Sequence, residues 1–468
     1  MEFKLSKATA KAPTLKPYRS NRKALARGRE LRKTVPRSSH ARWKTPPRRF
    51  DPVALLLETG KPRLAHLLPL RYQRMSESAF AFMRGSAVIM AADLAGTPVT
   101  GLQVQACGDC HLANFGAFAS PERRILFDIT DFDETLPAAW EYDLKRLATS
   151  FTLLARDKQL TRSAAKDVTR AAVASYRSHM HEFADMSPLE TWGFIIDSEL
   201  LIRTAPDAAT RRRRIRFEQK ARTRGVNSLL GKLLVRQGGT WRFQEQAPTI
   251  LRLRRGSGLE KSFLKALERY PATLPLDRRT LLARYRLADL AFKVVGVGSV
   301  GTRCAVALYL SESGDPLVLQ VKQALPSVLE PCAKKTAFTH QGERVVVGQR
   351  LMQCASDIFL GWASDDEGHD YYVRQLRDMK TSVALEALKG PVFFNFAAMC
   401  GWALARAHAK VGNASSLAGY MGRSGRLDDA LVNFAQDYAE QCERDFDLFK
   451  RAIRAGKIPI EIERRRRG

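Results

Sequence analysis

The sequence predicts an α+β fold with two lobes, a small lobe built on a mainly antiparallel sheet and a helical large lobe. The chain has 468 residues, which exceeds one ordinary domain. Strand-like segments separated by turn residues are concentrated in residues 286–377, whereas apolar residues recur at helical spacing in much of the remaining chain. We therefore expect residues 286–377 to form the small lobe. The large lobe would comprise residues 51–285, which include a helical insertion, and residues 378–468.

Residues 1–50 form a basic leader that we expect to be largely disordered. They contain sixteen Lys or Arg residues against two acidic residues, so much of the formal net charge of +29 lies near the N-terminus. Further basic runs occupy residues 211–216 and 464–467. Such runs attract nucleic acid or other phosphate-rich partners without sequence specificity, and a solvated basic surface is the alternative.

Within the predicted small lobe, a glycine-rich segment connects two strands. It reads Gly296-x-Gly298-x-x-Gly301, with Ser299 between the second and third glycines. A dinucleotide-binding fold would place a helix after these glycines, whereas a β-branched and aliphatic strand follows here. The predicted elements are strands over residues 292–296, 302–310 and 317–322, a helix over 343–354, and strands over 358–362 and 371–376.

The third of these strands ends at Lys322. Strand, glycine segment, strand, turn and a strand ending in Lys is the layout of a protein kinase small lobe, where loop amides cover the phosphates and the Lys pairs with them. Lys322 and the glycine segment are therefore candidate nucleotide-binding residues. An ordinary glycine-rich hairpin with a surface Lys is the alternative.

The candidate chemistry lies about 190 residues earlier in the chain. Asp109 and Asn114 have the separation found in a kinase catalytic loop, where the Asp accepts the hydroxyl proton and the Asn binds a metal. Asp131 and Asp133 follow the next strand and complete a set of oxygen ligands that suits Mg²⁺. Turn and capping roles are the alternative for these acids. His111 belongs to the same candidate catalytic loop, where we expect it to brace the loop through a hydrogen bond.

The letters Cys107-x-x-Cys110-His111 also spell the attachment signature for a c-type haem. That interpretation requires export, and the N-terminal residues lack the apolar core of a signal peptide. The remaining five Cys are scattered singly, which disfavours a structural zinc site and a disulfide framework. The longest apolar run, residues 392–405, is too short to cross a membrane. The sequence therefore predicts a cytoplasmic protein with no membrane span.

The order of the candidate segments is reversed relative to an ordinary kinase, in which the glycine loop precedes the catalytic loop. A helix predicted over residues 393–408 looks like the one that normally leads into the catalytic loop, yet no such loop follows it. A circularly permuted kinase-like fold accounts for both features, because the accessible termini of a domain tolerate such rewiring.

Several long segments resemble the bacterial family known as domain of unknown function 2252. The resemblance spans most of residues 25–450, and the family name implies no activity. The segments that carry it are residues 71–75, 80–85, 107–116, 131–135, 140–147, 296–303, 319–322 and 371–380.

The segment around Asp109 also resembles the catalytic loop of aminoglycoside phosphotransferase-like kinases, His-Gly-Asp-x-His-x-x-Asn. Cys107 replaces the first His, and Asn114 ends the match. Asp143 and Leu144 resemble an Asp-Leu pair that braces the active site of that family.

This second resemblance implies a role for each matching residue. Asp109 would be the base, and Asn114 and Asp131 would be metal ligands. Lys322 would clamp the phosphates, and Glu343 on the following helix is the preferred partner of Lys322.

Together these features predict an ATP- and Mg²⁺-dependent phosphotransferase that acts on an unknown small-molecule or protein acceptor. Transfer of the nucleotidyl (AMP) group on the same fold is one alternative. A non-catalytic protein that binds nucleotide, or nucleic acid through its basic leader, is the other.

Overall fold

The computed structural model describes residues 21–223, 231, 233–333, 337–376, 381–382 and 384–461. The predicted mixture of helices and antiparallel strands is confirmed. The helices are α1 Asn21–Thr34, α2 Pro52–Glu58, α3 Leu68–Met75, α4 Ala79–Gly85, α5 Ala87–Leu94, α6 Trp140–Asp157, α7 Arg162–Asp185, α8 Pro188–Gly193, α9 Ser198–Arg203, α10 Ala208–Thr223, α11 Gly258–Arg269, α12 Leu276–Leu282, α13 Gln341–Met352, α14 Gly390–Val411, α15 Ala414–Met421 and α16 Arg426–Arg454. The strands are β1 Gln103–Ala106, β2 Phe115–Ala119, β3 Ile125–Ile129, β4 Leu136–Ala139, β5 Leu234–Gln237, β6 Thr240–Phe243, β7 Ile250–Arg252, β8 Tyr285–Lys293, β9 Cys304–Ser311, β10 Pro316–Gln323, β11 Gly361–Ser364, β12 Asp370–Gln375 and β13 Thr381–Ser382.

The largest sheet has six antiparallel strands in the order β11, β12, β10, β9, β8 and β7. Its central strands β9 and β10 are buried along most of their length because both faces of the sheet are covered. Helix α11 packs on one face through Phe263 and Leu267, and strands β5 and β6 pack on the other through Leu234 and Phe243. Lys322 lies near the end of β10, between β9 and β12.

The helical part of the molecule has its own core, formed mainly by α6, α7, α14 and α16. Phe151, Leu404 and Phe434 are fully buried in it. Helices α7 and α14 approach closely because Gly401 has no side chain, and a Cβ at this position would lie 2.1 Å from the Ala172 carbonyl oxygen. The short sheets β1–β4 and β13–β2–β3 pack against this core and carry the loop that contains Asp109.

Helix α1 packs against α15 at a close crossing where each helix contributes a glycine. A Cβ on Gly28 would lie 2.0 Å from the Ser416 carbonyl oxygen, and a Cβ on Gly419 would lie 2.3 Å from the Leu25 carbonyl oxygen. The two backbones can meet at this distance only because both positions lack a side chain. The crossing therefore fixes the basic helix to the body of the protein.

The prediction that the leader is largely disordered is wrong for residues 21–50, and residues 1–20 lie outside the described residues. After α1, the Trp43 ring packs edge-on against Tyr438 of α16 at 5.0 Å between centroids. The composition of the leader did not indicate this structure. The contacts are made by a few apolar residues and glycines, which basic residues outnumber in the sequence.

Arg49 ends this segment in a buried ion cluster. Its guanidinium donates two hydrogen bonds to Asp93 and two to Asp445, all of 2.7 Å. The Tyr438 hydroxyl donates at 2.7 Å to Asp93 Oδ2, which also accepts from Arg49. We call Arg49, Asp93, Tyr438 and Asp445 the closed cluster, because its cation and both of its carboxylates are hydrogen-bonded within it.

Several boundaries differ from the sequence prediction; the strand expected over residues 292–296, for example, occupies Tyr285–Lys293. The later part of residues 51–285 was expected to be a helical insertion, but it also contains β5, β6, β7 and the start of β8. The large sheet therefore extends beyond residues 286–377. These added strands are short and contain several Arg residues, so their pattern is weak. The strand expected over 358–362 occupies Gly361–Ser364. Among the described residues, no helix is both long and apolar enough to cross a bilayer.

Candidate functional site

A cavity of about 450 Å³ lies where the large sheet meets the helical core. Its volume is in the range of pockets that bind small ligands. Five segments that are distant in sequence line it, namely residues 59–88, 107–114, 130–134, 293–299 and 320–328, together with β12 and its continuation to Leu376. Of the predicted site residues, those in the cavity wall are Asp109, His111, Asn114, Asp131, Asp133, Gly296, Gly298, Ser299 and Lys322.

The loop between β1 and β2 is held in place by Asp143 of α6. The Asp143 carboxylate accepts the backbone N–H groups of Cys107 at 2.7 Å and Gly108 at 3.0 Å. Nε2 of His408, near the end of α14, lies 3.1 Å from the same carboxylate and donates to it. Gly108 has φ +79°, and a Cβ there would lie 2.3 Å from the Glu134 carbonyl oxygen. The loop conformation thus requires glycine and is anchored from two helices.

Asp109 projects from this loop into the cavity and is paired with a buried arginine. Arg146 Nε donates to the Asp109 carboxylate at 2.7 Å, and the Asn114 amide donates to the Asp109 backbone carbonyl at 2.9 Å. Burial raises the pKa of Asp109, and Arg146 opposes that shift. A carboxylate held in this way is suited to orient a hydroxyl group and to accept its proton.

His111 lies beside Asp109 but does not brace the loop with its side chain. Its Nε2 is 3.7 Å from the Asp109 carboxylate, which is too long for a hydrogen bond. Its Nδ1 is buried and has no partner within the described residues. The backbone does the bracing instead, through His111 N–H to the Asp109 carbonyl. Burial holds the pKa of His111 well below its usual value, so the ring is neutral at pH 7.

Asp133 forms a salt bridge between the helical core and the large sheet. Lys322 Nζ donates to the Asp133 carboxylate, and the Ser299 hydroxyl donates to the same oxygen at 3.0 Å. The Tyr372 hydroxyl donates to the other oxygen at 2.7 Å. Burial opposes ionisation of Asp133, but Lys322 and these hydrogen bonds outweigh it and lower its pKa to about 2.

Asp131 is the second carboxylate of this acidic segment. Its side chain accepts the Asp133 backbone N–H at 3.2 Å. Burial raises the pKa of Asp131, and the nearby Asp133 charge raises it further. Two carboxylates with a side-chain amide at Asn114 line the same cavity, and such oxygen atoms are the ligands that Mg²⁺ prefers. A divalent cation would relieve the repulsion between the two carboxylates, so this donor set fits the predicted metal.

The glycine segment lies directly over Asp109. A Cβ on Gly298 would lie 3.2 Å from the Arg84 carbonyl oxygen and 3.8 Å from the Asp109 carboxylate. Gly301 has a different position, because it has φ +90° and its carbonyl accepts the Leu64 N–H outside the cavity wall. Gly296, Gly298 and Ser299 therefore face the cavity, whereas Gly301 attaches the segment to the chain near Arg63.

Glu343 is not brought to Lys322. Glu343 lies in the first turn of α13, where its backbone N–H donates to His340 Nδ1. Within the described residues Lys322 pairs with Asp133, and Glu343 neither forms an ion pair nor lines the cavity. The next residue, Arg344, points about 100° away around the helix and donates to the Asp133 backbone carbonyl at 2.8 Å. Asp133 of the acidic segment, rather than Glu343, is therefore the partner of Lys322.

Sequence reasoning missed four arginines in the cavity wall. These residues, which the sequence analysis left without a role, are Arg63, Arg71, Arg84 and Arg374. Arg71 and Arg84 belong to α3 and α4, where each follows mainly apolar residues. An Arg that directly follows an apolar stretch of a helix is the signal that could have identified them, since buried arginine is uncommon without a partner.

The alternative metal site at Cys107 and Cys110 is not suited to a metal. Both sulfur atoms lie close to the Asp143 carboxylate. Burial raises the pKa of Cys110 to about 11 and that of Cys107 well above the usual thiol value. Asp143 is also engaged with the loop backbone and with His408. The Cys-x-x-Cys-His letters therefore belong to the packing of the loop.

A family model described as "Uncharacterized protein conserved in bacteria (DUF2252)" matches residues 63–452. No curated protein and no solved structure matches the chain. The matched range contains every cavity-lining residue from Arg63 to Leu376, so the family includes the whole candidate site except its edge near Thr59.

Proposed function

Because the chain belongs to the family DUF2252, whose description names no activity, we propose its function from the cavity: Mg²⁺-dependent transfer of a phosphoryl group from ATP to an acceptor hydroxyl. One observation carries this proposal. The salt bridge from Lys322 to Asp133 brings the end of a sheet strand to the acidic segment beside Asp109. The sequence motifs require this meeting of residues 189 apart, and an ordinary surface hairpin would not produce it.

Each group in the cavity has a role in this proposal. Asp109 orients the acceptor hydroxyl and accepts its proton. Lys322 and the backbone N–H groups of the glycine segment bind the phosphates of the nucleotide. Asn114, Asp131 and Asp133 hold Mg²⁺, which when bound neutralises charge on the phosphates. Positioning and charge neutralisation are the main requirements for phosphoryl transfer, because its transition state is loose.

The proposed fold is a circularly permuted kinase-like fold with two lobes. Its support is the position of α14, whose counterpart in a kinase leads directly into the catalytic loop. A Cβ on Gly412, just after α14, would lie 2.9 Å from Val104 Cγ1 and 3.7 Å from the Gln103 carbonyl oxygen. The end of the helix thus lies against β1, the strand that leads into the Asp109 loop. Joining the two would restore the kinase order of elements.

Binding of ATP tests the site directly. We expect ATP with Mg²⁺ to raise the melting temperature of the full chain. At an ATP concentration of one hundred times Kd, binding should add about 2.7 kcal/mol to the free energy of unfolding. Asp131→Ala should lose the Mg²⁺-dependent part of this shift. Asp447→Ala, at an exposed position of α16, is the matched control and should keep it. An unchanged Mg²⁺-dependent shift in Asp131→Ala would contradict the site assignment.

Product analysis tests the reaction. Protein incubated with ATP and a small-molecule extract should release ADP and a phosphorylated product detectable by mass spectrometry. Asp109→Asn should slow this reaction by about 10²- to 10⁴-fold, the usual contribution of a general base. Release of pyrophosphate with an AMP-modified product would instead establish nucleotidyl transfer in the same cavity. A shift with duplex DNA that disappears at high salt, with none for ATP, would favour a basic nucleic-acid-binding protein.

A further inference from the structure

Three arginines on the helical side of the cavity form a group that the proposed roles leave unused. Arg63 precedes α3, Arg71 lies within α3, and Arg84 lies near the end of α4. All three line the cavity; Arg71 is only 2% exposed, and Arg63 and Arg84 are half-buried. We call these three residues the arginine cluster.

Within the described residues, the arginine cluster has no acidic partner at salt-bridge distance, although the Asp109 and Asp131 charges act on Arg84 from across the cavity. In the part of the chain that the structure describes, none of the three guanidinium groups forms a salt bridge with Asp or Glu, and the Nε atoms of Arg71 and Arg84 are buried without a hydrogen-bond partner. The bonds that exist go to neutral oxygens. Arg63 donates to the Val300 carbonyl at 2.7 Å, and Arg71 donates to the Gly85 carbonyl at 2.8 Å.

Such an arrangement lowers the stability of the folded protein unless an anion is bound. Burial lowers the pKa of all three groups, and nearby carboxylates oppose only part of this shift at Arg63 and Arg84. Repulsion from Arg63 adds to the shift of Arg71, whose pKa falls to about 9. Buried charges are normally paired, because an unpaired one loses its hydration without compensation. Arginine is also the side chain best suited to bind phosphate oxygens, since its guanidinium presents several N–H donors in one plane.

We propose that the arginine cluster is a binding subsite for a phosphate group, separate from the Lys322 and Asp133 side of the same cavity. The phosphate belongs either to the nucleotide or to an acceptor that is itself phosphorylated. This subsite rests on the burial, position and missing partners of the arginines. It therefore remains even if the cavity does not bind ATP.

Inorganic phosphate and pyrophosphate are the probes for this subsite. They are titrated into the full chain by calorimetry without nucleotide or Mg²⁺, at constant ionic strength. The wild type should bind at least one of them, and Arg84→Gln should bind it about tenfold or more weakly, as expected for loss of a charge-assisted hydrogen bond. Arg48→Gln, an exposed position, should bind like the wild type. Absence of binding to the wild type, or equal affinity in Arg84→Gln, overturns the proposal.

A second variant and a second ligand complete the test. Arg63→Gln provides the same comparison if Arg84→Gln fails to fold, which circular dichroism detects. If Arg84→Gln binds phosphate weakly and also loses affinity for ATP with Mg²⁺, the subsite holds a phosphate of the nucleotide. If its affinity for ATP with Mg²⁺ is unchanged, the subsite belongs to the acceptor. Loss of ATP binding in Asp131→Ala with phosphate binding intact would separate the two sites.

Discussion

The closed cluster is buried and the arginine cluster is partly buried in the cavity wall, with Arg71 buried and Arg63 and Arg84 half-buried. The two clusters differ in how their charge is matched. In the closed cluster, Arg49 donates four hydrogen bonds to two carboxylates. In the arginine cluster, three guanidinium groups share one cavity and no salt bridge is formed within the described residues.

The difference distinguishes charges that stabilise the fold from charges that are available to bind a ligand. The carboxylates outweigh the burial of Arg49 and raise its pKa, whereas burial lowers the pKa of Arg71. A matched cluster is stable without any addition, and a mismatched one in a cavity is typical of a functional site. Three predictions test this comparison.

The largest effect is expected from breaking the closed cluster. Arg49→Met leaves the Asp93 and Asp445 carboxylates buried side by side, and we expect a loss of about 3–5 kcal/mol in the free energy of unfolding. Urea unfolding measures this loss, and Arg48→Met is the matched control because the neighbouring Arg48 is exposed. A loss below about 1 kcal/mol would mean that the cluster does not hold the leader in place.

A smaller effect is expected from Glu134, a carboxylate in the cavity wall. Burial raises the pKa of Glu134 from 4.5 to about 7, because its carboxylate accepts only the Val328 N–H at 2.7 Å among the described hydrogen bonds. Between these values the folded protein binds more protons than the unfolded chain. Stability contributed by this group therefore falls as pH rises from 4.5 to about 7, by roughly 3 kcal/mol.

Glu134→Gln should remove this part of the pH dependence. The measurement is the free energy of unfolding in urea at pH 5 and at pH 7.5, for the wild type and the variant. Glu268→Gln, at an exposed position of α11, is the control and should leave the slope unchanged. Identical slopes in the wild type and Glu134→Gln would show that Glu134 has a normal pKa.

The smallest effect on the free energy of unfolding is expected when one charge is removed from the arginine cluster. Arg84→Gln breaks no salt bridge within the described residues and removes a desolvated charge, so the free energy of unfolding should change by less than about 1 kcal/mol. Urea unfolding of this variant beside Arg49→Met gives the contrast directly. A loss as large as that of Arg49→Met would mean that the Arg84 charge has a stabilising partner in the folded protein.

Short spacing along the chain was enough to predict which acidic residues lie together. Asp109 and Asn114 share one loop, and Asp131 with Asp133 follows the next strand, so local spacing was enough to place them in one site. The partner of Lys322 was mispredicted. Its choice depends on how the sheet meets the acidic segment, and helix α13 turns Arg344 rather than Glu343 toward that segment.

The arginines and the leader were missed for a related reason. A binding role for an Arg in α3 or α4 can be inferred only when the cavity beside it is known. The crossing of Gly28 with Gly419 joins segments that are nearly 400 residues apart, and no local pattern indicates it. By contrast, the strands β9 and β10 and the helix α14 were predicted well, because their apolar periodicity is long and regular.

The bond between His408 and Asp143 has a consequence for the order in which the protein folds. Asp143 holds the loop that carries Asp109, and one of its partners comes from the end of α14, some 300 residues after that loop. During synthesis the loop is complete long before this partner leaves the ribosome. Contacts between such distant residues form late and slow folding. The proposed catalytic loop would therefore reach its final geometry only after nearly the whole chain has been made.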